Sequence, residues 1–238
     1  LEAKGIALNE EAIIKKGISI LRNIHLKEKL RNVYFLIGNA YAGKSTMVRL
    51  LADKHNGIAL TENYHNELVT ENLDKSKYPA LCYVRDLEDW SDFVTRTPDE
   101  YEEWVKKANK ECEELELKML GDLENDGKLV FVDSNISIKT LHNVADNDHV
   151  LVMLAEPEMG VEHFFEREDE DKQFLYGLLR KEDNADEAIS NFKECLRRVN
   201  SKAKYKEYLN SGFMVLQRDD NRSVEETLSI VEKIFHLD

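Results

Sequence analysis

The sequence has little proline, little cysteine and no excess of positive charge. Only 3 of its 238 residues are proline and 10 are glycine, which argues against long linkers and for helix-rich order. The three cysteines, Cys82, Cys112 and Cys195, are far apart in the chain. No two have metal-ligand spacing and an odd number does not suit a disulfide framework, so buried thiols in a reducing compartment are expected. Lysine and arginine total 33 against 47 aspartates and glutamates, a formal net charge of −14. A surface that negative repels phosphate backbones, which makes long nucleic acids poor partners but leaves room for a local cationic site for a small anion. No apolar run reaches the length that crosses a bilayer and no secretory leader is read. A soluble cytoplasmic protein with no membrane partner is the expectation.

Hydrophobic residues make up 42% of the chain, enough for one large α/β domain with insertions. Residues 8–30 place Leu8, Ile13, Ile14, Ile18, Leu21, Ile24 and Leu30 near helical spacing. This predicts an amphipathic extension over residues 1–31 that packs on the domain or forms an interface, packing being favoured. Five short apolar runs follow, at 33–38, 57–63, 128–134, 149–158 and 212–220, with helical segments between them. Most are continuous rather than alternating, as in strands of a parallel sheet covered on both faces. The repeated βαβ pattern predicts an open parallel sheet.

Two stretches exceed the minimal alternation. A helical insert is expected over 64–127, with Thr97 as N-cap, Pro98 at N1, an apolar stripe through Tyr101, Trp104, Val105, Ala108, Cys112, Leu115, Met119 and Leu123, and Gly127 ending the helix. Residues 159–209 read as a second helical region. Its acidic runs at 166–171 and 182–187 are expected to be solvated surface rather than a metal site.

One motif carries chemistry. Gly38-Asn39-Ala40-Tyr41-Ala42-Gly43-Lys44-Ser45 fits G-x-x-x-x-G-K-[ST], with a predicted strand before it and a helix after. Backbone N–H groups there would surround phosphate oxygens at a helix N-terminus. Lys44 would neutralise the terminal phosphates, Ser45 would ligate Mg²⁺, and Thr46 would reach an α-phosphate. "LVFVD" supplies a second part, Asp133, an acid at a strand end that suits Mg²⁺. A helix cap or turn is the other reading of Asp133, and Ser134 competes for that role. Tyr41 occupies a tight turn; since a bulky residue avoids positive φ, a negative φ is expected, with the ring leaving the cradle toward the insert or the lid.

These residues resemble the small-molecule P-loop kinases, the nucleoside, nucleotide and shikimate kinase group. "GNAYAGKST" is most similar to the deoxynucleoside kinase loop, with Tyr41 replacing a usually small residue. The resemblance implies a three-layer α/β/α fold with strand order 2-3-1-4-5 over residues 32–238. It also implies ATP and Mg²⁺ as donor and cofactor, and Glu62 as general base toward the acceptor hydroxyl. The third-strand signature of deoxynucleoside kinases is acid-Arg-Ser; here Asp133-Ser134-Asn135 lacks the arginine. The lid of such kinases supplies arginines, for which Arg167 and Arg180 are the candidates, with Lys172 and Lys181 the other cations. Surface pairing such as Glu168 with Lys172 is the competing account. Arg218 or Arg222 would stack on the base, ahead of a helix capped by Ser223 and Glu226. The acceptor side would come from Tyr64, Arg85, Asp86, Trp90 and Arg96, none of which forms a motif.

The expectation is therefore an ATP-dependent kinase of a small molecule, with a homodimer possible. The alternative is a regulatory P-loop NTPase acting on a protein partner.

Overall fold

The computed structural model describes the backbone of residues 2–238 and the side chains from Ala12 onward; the side chain of Leu8 lies outside the described residues. Helix α1 (Glu2–Lys29) leads into β1 (Val33–Gly38), α2 (Lys44–Lys54) and β2 (Ile58–Leu60). The insert follows: a 3-10 turn at Tyr64–Leu68, then α3 (Pro79–Arg85), α4 (Ser91–Val94) and α5 (Pro98–Asp122). Next come β3 (Val130–Asp133), α6 (Ile138–Val144) and β4 (Val150–Leu154). The second helical region holds α7 (Met159–Glu162), α8 (Glu170–Leu179), α9 (Ala185–Val199) and α10 (Lys202–Leu209), before β5 (Met214–Gln217) and α11 (Val224–Ile234).

The five strands form one parallel sheet, order β2-β3-β1-β4-β5. The continuous apolar runs are explained by cover on both faces. Val33, Phe35, Ile37, Val130, Val132, Val150 and Val152 point to a core closed by Leu120 of α5 and Leu141 and Val144 of α6. Tyr34, Leu36, Phe131, Leu151 and Met153 point the other way, against Met47, Val48 and Leu51 of α2 and Val231 of α11. Each such large side chain contributes about 1.5–3 kcal/mol on burial. The register sets Leu36 of β1 opposite Asp133, and Gly38 opposite Met153, so the carboxyl ends of three central strands meet at the loop between β1 and α2.

Four strands are shorter than their apolar runs, two of them, β4 and β2, for evident local reasons. β4 stops at Leu154 because the Asn39 side chain takes both backbone groups of Ala155. β2 ends before Asn63, at φ 64°, turns the chain into the 3-10 segment. Helix α5 begins at the expected N-cap, Thr97, which forms a capping box with Glu100, but ends at Asp122, earlier than Gly127, because Leu123 is already extended.

The expected packing of α1 is corrected. Ile13, Ile14, Ile18, Ile20, Leu21 and Ile24 are 50–68% exposed. Among the described residues its C-terminal end is held by Leu26 and Leu30 in the core, Lys29 Nζ on the Gly121 carbonyl (2.6 Å) and Lys27 on Asp146 (2.8 Å). The sheet face that α1 would have covered is already taken by α5 and α6. The three cysteines are free and buried. Among the described residues no helix is long and apolar enough to cross a membrane.

Candidate functional site

The loop between β1 and α2 is built by two glycines and an asparagine. Gly38 has φ 134°, and a Cβ there would fall 1.9 Å from the Met153 carbonyl oxygen, so only glycine lets β1 run this close to β4. Asn39 locks the start of the loop: its Nδ2 donates to the Ala155 carbonyl (2.7 Å) and its Oδ1 accepts from the Ala155 N–H (2.8 Å). Gly43, at φ 88°, is the N-cap of α2 and brings no side-chain acceptor; the first turn of α2 holds no acid. Helices α5, α6, α10 and α11 each satisfy a first-turn N–H with a Ser or Thr hydroxyl. In α2 the first N–H groups have no intrahelical acceptor, and the helix dipole adds partial positive charge there. The end of α2 thus fits an anion.

Lys44, Ser45 and Asp133 meet at this end. Ser45 Oγ donates to Asp133 Oδ2 (2.6 Å), and Lys44 Nζ lies 3.6 Å from Oδ1 while donating to the Asn39 carbonyl (3.1 Å). Burial raises the Asp133 carboxyl above the ordinary aspartate value, against the pull of Lys44 and Ser45. The cap role is not taken by Asp133: Ser137 caps α6, and Ser134 turns to Glu116.

A cavity of about 350 Å³ opens from this cluster, and Glu62 and Arg167 also line it. Arg167 Nη2 donates to Glu62 (3.0 Å) and its Nε to Asp169 (2.6 Å). Lys172 stands 3.8 Å from Glu62 and 2.8 Å from Asp171, so its partner is not the Glu168 expected from i,i+4 spacing. Burial alone would raise the Glu62 carboxyl, but Lys172, Arg167 and Lys44 together hold it below the usual glutamate value. Arg49 and Asp169 also line this cavity, and sequence reasoning missed both. Arg49 sits four residues beyond Ser45, one turn along the same helix face, a spacing that could have flagged it.

Tyr41 corrects the backbone expectation. Its φ is 69°, a conformation that costs an L-residue roughly 1–2 kcal/mol. Its neighbours offset this: Arg218 Nη1 donates to the Tyr41 carbonyl (2.8 Å), the Arg218 guanidinium lies 4.8 Å from the ring centroid, and His163 stacks on the ring at 5.3 Å. The ring does turn toward the lid region, where His163 lies. Arg218, with Gly43 and Thr46, lines both this cavity and a neighbouring one of about 230 Å³ walled by Met47, Met153, Leu216 and Arg222. Arg218 enters that second cavity as a wall already engaged with Tyr41 and Asp220.

Other expected residues lie elsewhere. Arg180 is exposed over Tyr176 at the end of α8, and Lys181 is exposed beside it; neither lines the cavity. Tyr64 is buried and donates to Glu116 (3.2 Å). Arg85 and Asp86 pair with each other. Trp90 packs edge-on against Phe93 and Phe174, and the Arg96 guanidinium lies over Tyr83 and Phe93.

Among the described residues no group of three or more His, Cys, Asp or Glu forms a metal cluster. A serine hydroxyl and one carboxylate fit Mg²⁺ instead, an ion that binds through one or two carboxylates, waters and substrate phosphates. Comparison with known protein families and with curated proteins returns no match.

Proposed function

We propose that the chain transfers the γ-phosphoryl group of ATP to a small-molecule acceptor, a nucleoside, nucleotide or similar compound. The observation that carries this reading is that Glu62 and Arg167 line the same cavity as Lys44, Ser45 and Asp133. A phosphate cradle alone serves any nucleotide-binding protein; a further carboxylate in the same cavity is what an acceptor hydroxyl requires. The all-parallel sheet with the loop at its carboxyl end supports the same reading.

In this account the first-turn amides of α2 and Lys44 bind the β- and γ-phosphates. Ser45 and Asp133 would hold Mg²⁺, which when bound would neutralise charge on the phosphate oxygens. Glu62 takes the proton of the acceptor hydroxyl as its oxygen bonds to phosphorus and the bond to the ADP oxygen breaks. Arg167 leaves its pairing with Glu62 to meet charge on the transferring group, which frees the base in the same movement. The 230 Å³ cavity beyond Gly43 receives the adenine.

The test is ADP release from ATP-Mg²⁺ with and without each member of a nucleoside and nucleotide panel. Acceptor-dependent release is expected. A second reading, a regulatory NTPase that acts on a protein partner, draws support from the exposed isoleucine stripe of α1. It predicts release that ignores small acceptors and rises with a partner.

A further inference from the structure

The insert contributes one side chain that touches the sequels of both carboxylate-bearing strands. Glu116, on α5, is fully buried. Its Oε2 accepts from the Tyr64 hydroxyl (3.2 Å), the Ser134 hydroxyl (2.8 Å) and the Asn135 backbone N–H (3.0 Å). Its Oε1 accepts from Asn135 Nδ2 (3.0 Å), and His65 Nδ1 stands 3.2 Å away without hydrogen-bond geometry. Ser134 and Asn135 directly follow Asp133; Tyr64 and His65 follow Glu62 by two and three residues.

We infer that Glu116 is a positioning residue that sets the Asp133 and Glu62 carboxylates relative to one another; this rests on the phosphotransferase reading. The need is clearest on the Glu62 side. β2 has three residues and pairs with β3 alone, and Asn63 then takes φ 64°, so the ladder gives Glu62 little support. The Tyr64–Glu116 bond supplies it. On the other side, Ser134 and Asn135 directly follow Asp133, and both bond to Glu116. A carboxylate suits this place because every group facing it is a donor; an amide could not accept at both ends, and one donor set would be left unpaired in the interior.

The two arms of the network separate in experiment. Calorimetric titration of ATP, with Mg²⁺ and with EDTA, reads the Asp133 arm; acceptor-dependent kcat reads the Glu62 arm. Glu116→Gln and the milder Ser134→Ala are expected to lose about tenfold of the Mg²⁺-dependent gain in ATP affinity, with affinity in EDTA unchanged. Tyr64→Phe is expected to keep that gain and lose about tenfold in acceptor-dependent kcat, with the acceptor KM little changed. If both Glu116→Gln and Ser134→Ala keep the full Mg²⁺ gain and only melt earlier, Glu116 is packing and the inference is overturned. A wild-type protein that binds no ATP would instead remove the phosphate site, and this inference with it.

Discussion

The two walls of the phosphate cavity are built differently. The loop wall is held by short, specific bonds around the buried Asn39 and Asp133: Asn39 grips Ala155, Ser45 grips Asp133, and glycines take the backbone angles that other residues avoid. The other wall is a set of ion pairs among Glu62, Arg167 and the buried Lys172, with Glu62 at 40% and Arg167 at 23% side-chain exposure. A fixed wall suits binding and a wall of exchangeable pairs suits a moving step, since exposed ion pairs cost little to break. Even the carboxyl shifts run oppositely, upward for Asp133 and downward for Glu62.

Substitutions should divide along the same line. Lys44→Ala is expected to lower turnover by roughly a thousandfold, at the upper end for a lost charge-stabilising donor, and to weaken ATP binding as well. Full activity in this variant would refute the phosphate site. Glu62→Gln is expected to lower acceptor-dependent turnover about a hundredfold while sparing ATP affinity. That is the low end for a general base, because a carboxylate held below its usual value accepts a proton less readily. A parallel loss of ATP affinity would erase the distinction between the walls.

Stability gives a subtler contrast. Asp133 holds its charge less willingly folded than unfolded, so Asp133→Asn should raise the melting temperature of the ligand-free protein at neutral pH. The gain should vanish as pH falls below the ordinary aspartate value, where both states are protonated. Glu62→Gln should lower the melting temperature at neutral pH, and that loss should vanish as pH falls through the folded Glu62 value. For a chain of this size each kcal/mol appears as about 2–4 °C. Melting curves of the two variants across pH check the opposite signs. The smallest effect is expected for Tyr41→Gly, which relieves the strained φ but loses the His163 and Arg218 contacts; melting within about 3 °C of wild type follows if the two terms nearly cancel.

The loop wall was legible in the sequence because its chemistry is local. Gly38 to Ser45 is contiguous, and Asp133 stands at the end of an apolar run. Glu62 and Arg167 could be placed by the family resemblance, but their mutual pairing depends on how the lid folds back. Glu116 was hidden among Glu111, Glu113 and Glu114. Its one signal was position, four residues after Cys112 and eight after Ala108, on the stripe that α5 buries. The stripe of α1 shows the converse: periodicity reveals an apolar face but not what covers it, and here other helices already occupied the sheet. Tyr41 departs from its steric preference because two side chains distant in sequence, His163 and Arg218, clasp its ring.

The central claim is that Glu62 and the loop wall act together on an acceptor. The most direct measurement is ADP release from ATP-Mg²⁺ across the nucleoside and nucleotide panel, wild type beside Glu62→Gln. The account predicts release that rises with at least one acceptor and falls about a hundredfold in the variant. Release that is the same with and without every acceptor, and unchanged by Glu62→Gln, would contradict it.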